Sequence, residues 1–231
     1  ALDLPDVGGL WGGVEALAYV NDDVHVFIMN DRGSGVFGEP LVGEGVAHTG
    51  PYRGKFLDVW HAISPGAGCA WQPPKRIWEG FTGALNSVIQ LRNGPIVLPF
   101  ARATGQTWEH RVDTGLDAFS FSGGFQSTVV YSDDGGNTWR QGTRDIKVWA
   151  PIPAYGADEP VAIQKLDGSL WMLLRTQTGR LYETFSADGA EWSVARSTAF
   201  ISSDSPVGLV RLSDDRLVLI WNCCQRFPYA F

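Results

Sequence analysis

The sequence predicts an all-β fold made of repeated four-stranded antiparallel units. A turn motif of the form Ser-x-Asp-x-Gly-x-Thr-Trp is complete at residues 132–139, and weaker copies occur at residues 186–192 and 64–71. Short apolar runs separated by tight turns precede these motifs. The 28 glycines, 10 tryptophans and 44% hydrophobic residues suit a compact body of strands joined by many turns. A turn motif that recurs along the chain in this way indicates a repeat architecture.

The clearest repeat covers residues 160–192. Two apolar runs flank the Asp167-Gly168 turn, which is typical of a β-hairpin. A third run at residues 180–185 leads into the turn motif, so a fourth strand is expected after it.

Three other repeats align on the same kind of first turn. The last of them ends after two strands, so residues 1–231 are predicted to form one domain of about three and a half to four units. The predicted strands are 16–20, 24–28 and 57–63 in the first repeat, 87–91, 96–100 and 127–131 in the second, and 207–212 and 217–221 in the last.

The turn motif has the chemistry of a structural hairpin loop. The side chains of Asp134 and Asp188 can accept hydrogen bonds from backbone N–H groups two or three residues later. Gly136 permits a positive φ, and Trp139 supplies a large apolar ring for packing. We therefore expect both aspartates to stabilise their turns rather than to touch substrate or metal.

These motifs resemble the Asp boxes of sialidase-like (neuraminidase-like) β-propellers. The resemblance implies a β-propeller whose blades are four-stranded antiparallel sheets. Because such propellers close with six blades, the chain is expected to be a fragment, incomplete at its C-terminus and possibly also at its N-terminus, with a five-bladed closure as the alternative. Non-enzymatic propellers also carry Asp boxes, so the motif alone predicts no activity.

Charge and composition narrow the class of partner. A net charge of −7 leaves no basic stripe for nucleic acid or an anionic membrane surface, and a glycan or small molecule fits better. No apolar run approaches the roughly 20 residues that span a bilayer. The three cysteines form neither a disulfide framework nor a zinc motif, and we expect no metal or organic cofactor. We expect a secreted, periplasmic or cell-surface protein whose signal peptide is not part of this chain.

Antiparallel strands place their connecting loops on two opposite faces. First turns and Asp boxes share one face, whereas second-to-third-strand loops and connections between repeats share the other. The long insertions at about residues 32–55 and 102–126 belong to the second face. Binding residues are usually carried on such loops, so this face is the candidate site.

Glu159 and Arg175 stand out when the repeats are aligned. Both lie at the open end of one predicted hairpin, on the candidate face. Their positions in the predicted strand pairing differ by one residue. Their side chains would therefore point to opposite sides of the sheet, unless Pro160 removes Glu159 from the pairing. The aligned positions carry Val14, Leu85 and Pro206 in place of Glu159, and Asn30, Ala101 and Asn222 in place of Arg175.

The segment from Glu159 to the motif at residues 186–192 also resembles a sialidase segment. In that family it supplies a Glu that accepts a proton from a nucleophilic Tyr, and one Arg of a cluster that binds the sugar carboxylate. The resemblance implies that Glu159 is the base and Arg175 the carboxylate clamp. The family's first Arg motif is missing, and the later Arg and the Tyr would lie beyond Phe231. The alternative is a purely structural role, in which Glu159 and Arg175 form a salt bridge that closes the hairpin.

Further candidates lie in or near the insertions. His48 or Asp113 would supply the general acid, and Trp108 could stack on a sugar ring. Three functions remain open: a sialidase-like exo-glycosidase, a polysaccharide lyase or rhamnosidase-like enzyme on uronate-containing glycans, and a non-catalytic propeller that binds glycan or protein. In the second, His48 or His110 is the acid or base and Arg175 neutralises the uronate. The remaining substrate-binding candidates are Arg32, Arg102 and Arg111.

Overall fold

The structure is a computed structural model, and it describes residues 1–20, 22–32, 56–68, 70–108, 121–149 and 156–223. Contacts divide the chain into two compact units, residues 1–82 with 103–124 and residues 83–102 with 125–231. In the described parts of the chain, no helix has the length and apolar character needed to cross a membrane.

In these described residues, fourteen strands form four sheets, three with four strands each and one with two. In each sheet the strands lie in chain order and pair in antiparallel registers. Their bounds are β1 Leu10–Val20, β2 Asp23–Arg32, β3 Phe56–Ser64 and β4 Lys75–Trp78; β5 Ile89–Gln90, β6 Ile96–Trp108, β7 Phe121–Ser132 and β8 Arg140–Gln141; β9 Asp158–Gln164, β10 Leu170–Arg175, β11 Arg180–Ser186 and β12 Arg196–Ile201; and β13 Gly208–Arg211 and β14 Leu217–Ile220.

The predicted four-stranded antiparallel units are confirmed. β1 begins earlier than the apolar pattern predicted, because the ladder continues through register shifts between Gly12 and Val14 and between Ala18 and Val20. The weak motif copy at residues 64–71 forms a single helical turn, α1 Pro65–Gly68. There Ser64 Oγ donates to Ala70 O at 2.7 Å, and Gly66 N donates to Asp23 Oδ1 of the neighbouring strand at 3.2 Å.

In the second unit, strand β10 is buried on both faces of its sheet. Leu170, Met172 and Leu174 pack on one side against Trp192, which is 1% exposed. Leu173 points to the other side, into a cluster with residues that include Val207. This two-sided burial explains why β10 reads as an almost continuous apolar run, and it gives the β9–β10 hairpin a rigid base.

The complete turn motif folds as its sequence predicts. Asp134 Oδ1 accepts a hydrogen bond from Thr138 N at 2.9 Å, and Ser132 Oγ accepts one from Gly136 N at 2.8 Å. Gly136 has φ of +87°. The Thr138 side-chain hydrogen bond, followed by its backbone N–H, lowers the pKa of Asp134 to about 2. The aspartate is therefore a structural acceptor in this loop.

Candidate functional site

Glu159 and Arg175 lie in contact at the open end of the β9–β10 hairpin. Arg175 Nη1 donates to Glu159 Oε2 at 2.5 Å, and the two side chains are 19% and 16% exposed. Two local irregularities bring them together: a register shift between Leu173 and Arg175, and a φ of +39° at Glu159. The one-residue difference in register therefore does not separate the side chains.

Arg175 has further acidic neighbours. Its Nε donates to Asp204 Oδ1 at 2.7 Å, and Asp204 Oδ2 accepts a second hydrogen bond from Gln177 Nε2 at 2.8 Å. Asp158 Oδ2 lies 3.9 Å from Arg175 Nη1. Three carboxylates thus surround one guanidinium, and we call Asp158, Glu159, Arg175 and Asp204 the Arg175 cluster.

Asp158 is the most deeply buried member of the Arg175 cluster. It is 7% exposed, and its Oδ1 accepts a hydrogen bond from the backbone N–H of Glu159 at 2.8 Å. Burial, and then the charge of Glu159, raises the pKa of Asp158 to about 7, while the charge of Arg175 acts in the opposite direction. This carboxyl therefore changes its charge near neutral pH.

Arg175 stays charged. Burial would lower its pKa, but the hydrogen bond to Asp204 and the charge of Glu159 outweigh that effect and raise the pKa above its usual value. Among the described residues, Nη2 has no hydrogen-bond partner, whereas Nε and Nη1 are both engaged. The guanidinium can therefore offer Nη2 to an incoming anion.

Arg32 belongs to the first unit and is held by a different group of ionic side chains. Its Nη2 donates to Asp58 Oδ2 at 2.6 Å and to Glu79 Oε1 at 3.1 Å. Its guanidinium also lies 4.4 Å from the centre of the Phe56 ring. Arg76 Nη1 contacts Glu79 Oε1 at 3.2 Å. The Arg32 side chain remains 30% exposed, whereas Asp58 is fully buried.

The other candidates fall in three classes. Arg102 belongs to the second unit, where its Nε donates to Asp145 Oδ1 at 3.0 Å and its side chain stays 31% exposed. Trp108 is the last residue of β6, and only its place in the strand is described. Four candidates lie outside the described residues: His48, His110, Arg111 and Asp113.

Sequence reasoning missed three residues of this site: Asp158, Asp204 and Gln177. Asp158 is adjacent to the candidate Glu159, but two neighbouring acidic residues do not by themselves indicate a functional site. Asp204 lies in the connection between β12 and β13, which belongs to the predicted candidate face. That placement was the one available signal, since Asp204 is 29 residues from Arg175 in sequence.

The sheets define the chain as an all-β protein of repeated antiparallel units. A family model described as a BNR repeat-like domain matches residues 47–228. The chain therefore belongs to the BNR repeat-like domain family. No curated protein matches it significantly in sequence.

Several solved sialidases share its fold. A mutant of the NanB sialidase from Streptococcus pneumoniae has a TM-score of 0.58 and 11% identity, over 92% of this chain and 44% of that chain. A leech intramolecular trans-sialidase, complexed with 2,7-anhydro-Neu5Ac, has a TM-score of 0.58 and 14% identity, over 90% of this chain and 43% of that chain. Trypanosoma rangeli sialidase, in complex with sialic acid, has a TM-score of 0.55 and 15% identity, over 90% and 33%.

The present chain spans less than half the length of each of these proteins. The likeness shows a sialidase-like fold, in agreement with the family match.

Proposed function

We propose that the protein is a sialidase-like glycoside hydrolase that acts on a carboxylate-bearing sugar in glycans. The observation that carries this proposal is the contact between Glu159 and Arg175 at the open end of the β9–β10 hairpin. A half-buried guanidinium with Nη2 available suits a sugar carboxylate, and an adjacent carboxylate suits proton transfer.

Each residue has a distinct role in this mechanism. Arg175 holds the sugar carboxylate and orients the ring. Glu159, which is 16% exposed, accepts the proton of a nucleophilic Tyr from another part of the protein, and the Tyr oxygen attacks the anomeric carbon. A general acid, His48 or Asp113 in our proposal, protonates the leaving oxygen. The reaction then needs no metal or organic cofactor.

Additional cations are required because the Arg175 cluster is acidic. Three carboxylates face one guanidinium, so an anionic sugar needs further positive charge to bind well. We propose Arg32, Arg102 and Arg111 for this role. Trp108 and His110 complete the proposed sugar contacts.

A fluorogenic sialoside assay on the full-length protein tests the proposal. Glu159→Ala is expected to reduce turnover by about 100-fold or more, because proton transfer to a positioned base is lost. Arg175→Ala is expected to raise KM strongly. The matched control is Arg196→Ala, since Arg196 pairs with Glu183 at 2.9 Å on the same sheet but is 70% exposed and outside the Arg175 cluster.

The same samples separate the alternatives. Cleavage that survives both substitutions at the Arg175 cluster would overturn the proposed roles. An unsaturated product from a uronate polymer, with no sialoside cleavage, would favour a lyase. Glycan binding that depends on Arg175, with no turnover of either substrate, would favour a non-catalytic binding protein.

We also infer that the four sheets are blades of one β-propeller with six blades in the complete protein. The chain-order pairing within each sheet and the sialidase-like fold support this inference. A glycan substrate agrees with a secreted, periplasmic or cell-surface location, which we also propose. Fractionation of the producing cells tests that location.

A further inference from the structure

The Arg175 cluster carries more negative than positive charge. Glu159 Oε2 and Asp204 Oδ1 lie 2.5 and 2.7 Å from nitrogens of Arg175, whereas Asp158 Oδ2 lies 3.9 Å away. The third distance exceeds hydrogen-bonding range. Asp158 therefore gains least from the guanidinium, although it is the most buried of the three carboxyl groups.

The described residues around Asp158 offer little other charge compensation. On its own strand it meets Glu159, across the hairpin it faces Arg175, and Asp204 approaches from the connection after β12. A Cβ placed on Gly83 would lie 3.0 Å from Asp158 Oδ1, so this uncharged residue packs beside the carboxyl. Within the described part of the chain, Asp158 thus has two like charges and one distant opposite charge as neighbours.

An anionic sugar at Arg175 makes this imbalance worse. Its carboxylate would bring a fourth negative charge to one guanidinium, and it would draw the positive charge of Arg175 toward itself. The simplest relief is neutralisation of the carboxyl that is least well paired and most buried.

We propose that Asp158 is a positioning residue for Glu159 and takes up one proton from solvent when an anionic sugar binds to the Arg175 guanidinium. This inference rests on the proposed function. The proton balances the charge of the incoming sugar, so the Arg175 cluster with its bound sugar has the same net charge as the unliganded cluster. Protonated Asp158 keeps Oδ1 as the acceptor for Glu159 N–H and so preserves the backbone conformation that places Glu159.

The pKa of about 7 for Asp158 in the unliganded protein agrees with this role. Below that pH the carboxyl is already neutral, and binding needs no proton uptake. Above it, each sugar bound brings one proton with it, and the affinity falls by about tenfold per pH unit.

Isothermal titration calorimetry in two buffers of different ionisation enthalpy tests the coupling, with free N-acetylneuraminic acid and glucuronic acid as probes. In the wild-type full-length protein, we expect uptake of one proton per sugar at alkaline pH and almost none in mild acid. Asp158→Asn imitates the protonated carboxyl, so it is expected to bind with high affinity at alkaline pH and to lose most of the proton uptake.

Two control variants separate this role from a general charge effect. Asp204→Asn also removes one carboxylate beside Arg175, but it is expected to change the affinity without removing the pH slope. Asp167→Asn lies at the far turn of the same hairpin, where Asp167 Oδ1 accepts from Ser169 N at 3.0 Å, and it is expected to match the wild type.

The outcomes are distinct. Sugar binding with equal proton uptake in wild type and Asp158→Asn overturns the coupling and leaves the proposed function standing. No binding of either sugar at any pH overturns both. If Asp158→Asn does not fold, carboxyl-carbon NMR of the wild type decides: the Asp158 resonance should titrate near neutrality without sugar and at higher pH with it, and an unchanged midpoint overturns the coupling.

Discussion

Replacing His61 with glutamine should make the stability of the first unit less sensitive to acid. His61 and His25 lie on neighbouring strands, with His25 Nδ1 2.9 Å from His61 Nε2 and their rings stacked. They are 3% and 0% exposed, and His25 Nε2 has no hydrogen-bond partner among the described residues. Glutamine is neutral at every relevant pH and can still hydrogen-bond to His25 Nδ1.

The size of the effect follows from the pKa of His61. Burial, then the neighbouring His25 and Lys75, lowers it from 6.5 to about 3. Burial also lowers the pKa of His25, against the charge of Asp23. Because protons bind the unfolded chain more readily, the stability contribution is present above the unfolded pKa and is lost as the pH falls. Each pH unit below 6.5 costs about 1.4 kcal/mol, or about 2 kcal/mol by pH 5.

Urea denaturation of wild type and His61→Gln over a pH series measures this effect. The difference in the free energy of unfolding should be constant above neutrality and should shrink in favour of the variant as the pH falls. A difference that stays flat from neutrality to about pH 5 would refute the neutral buried pair. The comparison with the variant removes contributions from other titrating groups, including the opposite one from Asp158.

Three other substitutions test the fold and the site. Trp192→Ala removes a side chain that is 1% exposed and should cost about 3–5 kcal/mol in urea denaturation; a cost below 1 kcal/mol would contradict its core position. Ser132→Ala leaves Gly136 N–H without its 2.8 Å acceptor and should lower the free energy of unfolding by about 1–3 kcal/mol, whereas Ser132→Thr keeps a hydroxyl acceptor and should retain most of the wild-type stability. Gly83→Ala should displace the Asp158 carboxyl and weaken sialic acid binding with only a small fall in Tm; unchanged affinity would contradict the close approach at 3.0 Å.

Local sequence patterns predicted the parts of the fold that depend on local chemistry. The Asp167-Gly168 turn and the loop from Ser132 to Trp139 were predicted because their side chains bond within a few residues. β1 was predicted too short because its N-terminal half is held by cross-strand pairing, which continues through two register shifts. Apolar periodicity does not detect such irregular pairing.

The candidate site was likewise predicted only in part. Glu159 and Arg175 were found because they break the pattern of the aligned repeats. Their contact depends on a positive φ at Glu159 and a bulge before Arg175; Pro160 indicated a break in the ladder at Glu159, but no residue indicated the positive φ or the bulge. Asp204 lies in the connection that follows β12, and Gln177 joins the site from the β10–β11 loop by donating to Asp204, so local sequence patterns do not identify either residue.

A comparison of two ionic groups in this molecule bears on whether the Arg175 cluster is merely a salt bridge. In the first unit, Arg32 and Arg76 face Asp58 and Glu79, so opposite charges are equal in number around the buried carboxylate. The Arg175 cluster has three carboxyl groups for one guanidinium. Because the pKa of Asp158 is raised from 3.8 to about 7, its stabilising contribution is present in acid and is lost as the pH rises to neutrality.

A buried carboxylate that served folding alone would be expected to have opposite charges in equal number around it, as Asp58 has, since an unpaired buried carboxylate destabilises the native state. Retention of Asp158 beside a charged arginine with Nη2 available is the arrangement expected where an anion and a proton bind together. The pH series for Asp158→Asn therefore bears on function as well as stability. If Asp158→Asn is more stable at alkaline pH and binds sugar without proton uptake, the Asp158 carboxyl serves ligand binding and not folding.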